Sequence, residues 1–286
     1  MGDKSKIAWT DATWNPIKGC TPISEGCVHC YAARMADRLR AMGVAGYEDG
    51  FAVGLREGVL DQPLRWRRPR KIFVCSMGDL FHEAVPTGWI DQVWATMLLS
   101  PQHIFQVLTK RPARMLEYLS DPDLYGRILR IADQAIRPQF PATQEIGISD
   151  PSWRQAEWIW AGVTAESQAR ADERIPLLLE IPAAVRFVSV EPMLGPVDLG
   201  LLGTIPHSRP YSLVWERIGW IICGCESGPS ARPLDLDWAR SLRDQCQDAG
   251  VPFFFKQAPD PRRPGRTISM PPLDGQVWAQ FPGVRP

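Results

Sequence analysis

Cys20, Cys27 and Cys30 fall within eleven residues, in the stretch GCTPISEGCVHCYA (19–32), while Cys75, Cys223, Cys225 and Cys246 are scattered along the rest of the chain. A closed structural zinc site takes four protein ligands, usually from two C-x2-C-like pairs, and only one such pair is present. His29 lies between two of the cysteines and is sterically awkward as a fourth ligand, which leaves His82 or a distant cysteine to complete a zinc set. A [4Fe-4S] cluster can be held by three thiolates with one iron left open to a substrate or cofactor, whereas electron-transfer clusters use four. Three thiolates therefore suit chemistry at an open iron. The odd total of seven cysteines points the same way, because in a reducing compartment a close cluster means metal or catalysis more often than disulfides.

The elements that must position this loop read as βα units. Apolar, β-branched or aromatic runs at 71–76, 103–109, 157–163, 185–190, 219–224 and 251–256 predict strands, with a further short one near Lys6–Trp9. Amphipathic helices are expected between them, among them 87–100, 169–181 and 235–250, the last capped by Asp235 and stopped by Gly250. Near-continuous apolar strands suit a parallel sheet covered on both faces. The fold class is thus α/β, a partial or complete parallel (β/α) barrel of TIM type. After each strand comes a polar group: Asp79, Lys110, Glu166, Glu191, Glu226 and Lys256. Any one of these is explained as a loop residue or helix cap. Six in succession predict a site at the C-terminal rim of the barrel, where such folds build their chemistry.

The wider sequence also resembles known families. C-x6-C-x2-C followed by Tyr31-Ala32 is similar to the cluster loop of the radical S-adenosylmethionine superfamily, although the first gap is longer than its usual three residues. TWNPIKGC, CSMGDLFH, LTKRP, GVTAE, RFVSVEPMLGP, ESGPSARP and FFFKQ resemble the successive blocks of an uncharacterised phage-associated and bacterial family with a three-cysteine motif, over nearly the whole chain. The superfamily resemblance implies that Cys20, Cys27 and Cys30 ligate three irons while S-adenosylmethionine chelates the fourth. An external electron donor would then reduce the cluster and release a 5'-deoxyadenosyl radical. It implies that Tyr31 flanks the adenine, that Gly78 and Asp79 contact the methionyl ammonium, and that Thr164, Glu166 and Glu191 line the cofactor site. Lys110, Glu191, Glu226 and Lys256 are the candidates to act on a substrate. Cys225 departs from the narrower family, where Gly is expected before Glu-Ser-Gly.

Net charge is zero, with 26 Arg against 6 Lys, so an anionic partner must be recognised locally. Arg65, Arg67, Arg68, Arg70 and Lys71 surround Trp66, and with Lys110-Arg111 and the Arg residues of PRRPGR (261–266) they are expected to face one rim. That pattern suits a nucleic acid or nucleotide substrate. No apolar stretch approaches a membrane span and no signal peptide is apparent, which predicts a cytoplasmic protein without membrane contact. One barrel domain is expected over 1–257, with insertions near 43–70, 120–156 and 200–217, followed by an irregular tail (258–286) folding back over the rim. A noncatalytic zinc- or cluster-bearing nucleic-acid-binding module is the alternative, and it leaves the polar rim without a purpose.

Overall fold

The computed structural model describes residues 5–145, 156–200 and 211–283. In chain order the first half contains β1 (Ala12–Trp14), β2 (Ile17–Lys18), α1 (Tyr31–Ala41), β3 (Gly54–Leu55), α2 (Gln62–Arg65), β4 (Lys71–Val74), α3 (Thr87–Leu98), β5 (Ile104–Thr109), α4 (Pro112–Ser120) and α5 (Leu124–Ile131). The second half contains β6 (Ile159–Thr164), α6 (Gln168–Glu180), β7 (Val185–Val190), α7 (Tyr211–Arg217), β8 (Trp220–Gly224), α8 (Leu236–Asp248), β9 (Phe253–Pro259) and β10 (Thr267–Ser269). The main sheet has eight strands in the order β1-β4-β5-β6-β7-β8-β9-β10. All neighbours from β1 to β9 are parallel, and β10 returns antiparallel on β9.

The sheet curls into a half-barrel, and aromatic packing shows why. Trp9 contacts Phe73 of β4 at 4.7 Å between ring centroids and Trp220 of β8 at 6.1 Å. In a flat sheet those two strands would lie roughly 19 Å apart, at about 4.8 Å per strand. Phe73, Ile104, Trp160, Val185, Phe187, Trp220, Ile222 and Phe254 form this inner core, and β1 pairs with neither β9 nor β10, so the barrel is partial. Gly162 makes the filling fit, because a Cβ there would collide with the Phe187 ring. The alternate residues of the same strands, such as Val74, Val107, Ala161, Val188, Ile221 and Phe255, lie in the larger core with α3, α6 and α8.

All six sequence-predicted strands are present, β7 with the expected ends and the others with ends displaced by at most three residues. The short strand expected near Lys6–Trp9 is instead β1, and Trp9 serves as a plug. β4 stops at Val74 because Cys75 turns to a left-handed φ of 60°. Asp235 caps α8 by accepting from the Asp237 backbone N–H, and Gly250 follows the helix at φ 68°. Insertion 43–70 carries β3, which pairs with β2, and α2; insertion 120–156 carries α5, with 146–155 outside the described residues; insertion 200–217 carries α7, with 201–210 outside them.

The tail is largely irregular, as expected, but it also extends the sheet: β9 runs through the expected boundary at 257 to Pro259, and the turn at 260–266 and β10, which returns on residues 257–259, stand at the rim. The chain then descends to the opposite end, where Phe281 packs against Trp220 and edge-on to Phe254, and the Gln280 carbonyl accepts from Trp220 Nε1 at 2.8 Å. The basic run requires a correction. Arg65 to Arg70 immediately precede β4 and Lys71 opens it, so they lie at the N-terminal end of the barrel, a strand's length from the rim. There Arg65 pairs with Asp61, Arg70 covers Trp66, and Lys71 lies over the Phe281 ring.

Candidate active site

Side-chain parity explains how the rim is furnished. Residues of a strand alternate between faces, and Lys110, Glu166, Glu191, Glu226 and Lys256 each continue the inward series of their strand: 104-106-108, 160-162-164, 185-187-189, 220-222-224 and 254. The charges therefore collect above the aromatic plug, over which the cysteine loop is laid. Gly19 makes this entry possible. At φ 81° it bridges to Gly78, and any side chain on it would run into the Ala52 carbonyl.

Three sets of bonds then fix the loop. In the first, the Asp79 carboxylate accepts from Thr109 Oγ1 (2.7 Å), the Phe81 N–H (3.0 Å), the Lys110 N–H (3.2 Å) and Arg111 Nη1 (3.1 Å). Arg111 passes the hold on to the loop, donating to Cys20 Sγ at 3.3 Å and to the Thr21 carbonyl at 3.2 Å. In the second, Glu166, wholly buried, accepts from Ser24 Oγ, from Lys110 Nζ at 3.0 Å and from Arg174 Nη1 at 2.9 Å. Gly26 permits this approach, since a Cβ there would stand 2.7 Å from Glu166 Oε1. In the third, Glu226 joins Arg232 (2.6 Å) to His29 Nδ1 (2.9 Å), while Arg232 Nη1 also donates to the Glu25 carbonyl at 3.0 Å.

Glu191 and Lys256 stand apart as a pair at 2.8 Å, with Ser189 Oγ donating to Glu191 at 3.2 Å. They neighbour Tyr31, whose ring is half-exposed while its hydroxyl donates to the Ser76 carbonyl. Burial, with the Cys30 thiol and the Glu191 carboxylate nearby, pushes the Tyr31 phenol well above its ordinary range. Thr164 is buried at the end of β6, where its carbonyl accepts from Arg174 at 2.8 Å. Gly78 and Asp79 face the cysteine loop, and every acceptor position of the Asp79 carboxylate is filled by a protein donor.

The three loop thiols are free and partly exposed, whereas Cys75, Cys223, Cys225 and Cys246 are free and buried. Burial and Asp79 raise the Cys20 thiol to about 11 against the pull of Arg111. Burial also raises Cys27, but Lys110 and hydrogen bonds from Ile23 and Ser24 outweigh it and bring the thiol below its ordinary value. Among the described residues no group of three or more His, Cys, Asp or Glu side chains is gathered as a metal-binding set; holding a cluster would draw the three thiols together. His82 reaches the loop, at 2.9 Å from Thr21 Oγ1, with Nδ1 accepting from the Ala84 N–H. His103 is structural, on the Pro63 carbonyl, and His207 lies outside the described residues.

Sequence reasoning missed Ser24, Arg174 and Arg232 as parts of the site. It placed Arg111 at the rim beside Lys110, but as a basic group for an anionic partner and not as a hold on the loop, and it weighed His29 only as an awkward zinc ligand. Arg174 carried no signal: it sits inside α6, where a charge reads as a solvated face, yet its side chain is only 1% exposed.

A family model describing proteins of unknown function, DUF5131, matches residues 4–282. The chain belongs to the DUF5131 family. No curated protein and no solved structure matches it. The match spans every element of this DUF5131 chain, from β1 to β10 and the Phe281 plug.

The third set of bonds has a pH signature. Burial alone would raise Glu226, but Arg232 and His29 bring it from 4.5 down to about 2. A carboxylate depressed on folding adds stability that is complete above its unfolded value and is lost as pH falls through the folded one. The contribution is on the order of 3 kcal/mol at neutral pH. Glu226→Gln should therefore lower the urea midpoint at pH 7 and narrow its gap from the parent between pH 4.5 and 2. Parallel stability curves for parent and variant over that window would refute the assignment.

Proposed function

We propose that the chain is an iron-sulfur enzyme of the radical S-adenosylmethionine kind, with Cys20, Cys27 and Cys30 as ligands to a [4Fe-4S] cluster whose open iron takes S-adenosylmethionine. The observation that carries the reading is the distribution of thiols. Three partly exposed cysteines share one loop at the C-terminal rim of a parallel half-barrel, and the other four are in the core. This donor set is one short of a closed zinc site and suits a cluster with an exchangeable position. When bound, the cluster and S-adenosylmethionine supply radical chemistry driven by one electron from an external donor.

The protein's own groups divide into supports and contacts. Lys110 and Arg111 offset the negative charge of the thiolates, while Asp79, Glu166 and Glu226, each saturated by protein donors, hold the loop. Tyr31 offers an open aromatic face beside Cys30 for the adenine. Lys256 and Glu191, a half-open pair at the floor of the rim, are matched to the carboxylate and ammonium of an amino-acid moiety or to a substrate anion, with Thr164 beside them. The direct test is strictly anaerobic purification with iron and sulfide analysis: near-stoichiometric [4Fe-4S] supports the reading, and a colourless protein with one zinc per chain refutes it.

A nucleic acid or nucleotide is the proposed substrate. Its support is the turn after β9, where Arg262, Arg263 and Arg266 are exposed and form no ion pair among the described residues. Gly265 packs against Gly228 and Pro229, which joins this turn to the rim. Neutralising the three arginines together should weaken single-stranded DNA or RNA binding and flatten its log-log salt slope by about 2. Arg67→Gln with Arg68→Gln, at the far end of the barrel, should change neither. Equal binding by the triple variant, or no binding by the parent at low salt, would remove this assignment while leaving the radical reading in place.

A further inference from the structure

We infer that Arg111 tunes the reduction potential of the cluster through a charge-assisted N–H···S bond to Cys20, an inference that rests on the iron-sulfur reading of the three thiols. The guanidinium carries five N–H donors in a rigid fork, and here every one is engaged. Nε donates to the Glu83 carboxylate at 2.9 and 3.0 Å; Nη1 donates to Asp79 at 3.1 Å and to Cys20 Sγ at 3.3 Å; Nη2 donates to the Thr21 carbonyl and hydroxyl, both at 3.2 Å. The side chain is 5% exposed.

The three thiols are thereby made unequal. Cys20 receives a fixed cationic donor; Cys27 has Ser24 Oγ at 3.6 Å, whose proton goes to Glu166, and no cationic side-chain donor of this kind reaches Cys30 among the described residues. Reduction adds one negative charge to a cluster. A fixed positive charge with a hydrogen bond to one of its sulfurs stabilises the reduced form more than the oxidised one, and the potential rises. Arg111 is thus a positioning and tuning residue: it touches a ligand and not the reacting atoms. Asp79 and Glu83 act through it, as the anions that hold the fork in place.

The test is an EPR-monitored redox titration of anaerobically reconstituted full-length protein. Arg111→Met removes the charge and the donor at similar length; Arg111→Lys keeps the charge without the fork. Arg111→Met should shift the midpoint to more negative potential by at least tenfold in the reduction equilibrium, about 59 mV for a one-electron couple. Arg111→Lys should fall between it and the parent. A second measurement needs no variant: in parent protein labelled with 15N-arginine, the reduced cluster should show hyperfine coupling to an arginine nitrogen. If a cluster-bearing Arg111→Met keeps the parent's midpoint, or if the labelled parent shows no such coupling, Arg111 has no tuning role and the iron-sulfur reading stands. If the parent itself holds no iron and sulfide, that reading fails and this inference fails with it.

Discussion

On the proposed iron-sulfur reading, alanine at Cys20, Cys27 or Cys30 is expected to strip the protein of iron, whereas Cys75→Ala and Cys246→Ala are expected to leave its iron content nearly intact. The separation follows from location. The first three thiols share the rim loop, with Arg111 on Cys20 and Lys110 near Cys27; Cys75 is 2% exposed beneath it and Cys246 is wholly buried on α8. Burial also pushes the Cys75 and Cys246 thiols far above their ordinary value, in keeping with their place in the core. Removing one of three ligands leaves a cluster with two protein bonds, while truncating a core cysteine removes one sulfur from a packed interior. Iron and sulfide analysis of five anaerobically prepared variants decides the matter. Iron retained at the parent level by any of the loop variants would show that its thiol is not a ligand.

Glu166→Gln should be the most destabilising single change at the rim. The carboxylate is wholly buried and faces Arg174, 1% exposed, on one oxygen, and Lys110 with Ser24 on the other. Its pKa direction reflects that balance: burial raises it, and Lys110 and Arg174 overcome the rise and lower it. An amide of the same shape leaves two cations without their counter-charge. Breaking a buried pair in this way costs about 3–5 kcal/mol. Urea denaturation should show that loss in the midpoint, and hydrogen exchange should show residues 24–27 opening more often than in the parent. A change under about 1 kcal/mol would mean that the carboxylate is not the hub of the loop.

Much of this architecture is written in the strands. Apolar runs such as Val185–Val190 and Trp220–Gly224 are long enough to reveal parallel strands, and the polar residue at each strand end keeps the inward parity that gathers the rim. β1 escaped because it has only three residues, between polar Asp11 and Asn15, while the more apolar Ile7–Trp9 next to it supplies the plug. The tail escaped because Pro, Gly and Arg hide β10, and because Trp278 and Phe281 anchor through packing that no local pattern announces. The position of the basic run follows from chain order: residues ahead of a barrel strand occupy the end opposite to those behind it. Pairings such as Glu166 with Arg174 and Glu226 with Arg232 were not legible, since each partner comes from a segment whose own composition reads as solvated surface.

The cysteine loop owes its shape to bonds within the protein, drawn from the ends of four strands through Asp79, Lys110, Glu166 and Glu226. Zinc fingers and similar small domains fold only as their metal binds. Here the loop is anchored by the protein itself, and only the three thiols would have to close in on an inorganic component. If the proposed cluster is what they hold, a newly made chain can wait for its delivery without exposing a disordered segment to proteolysis. Cofactor supply would then govern how much of the protein is active, and not how much of it survives.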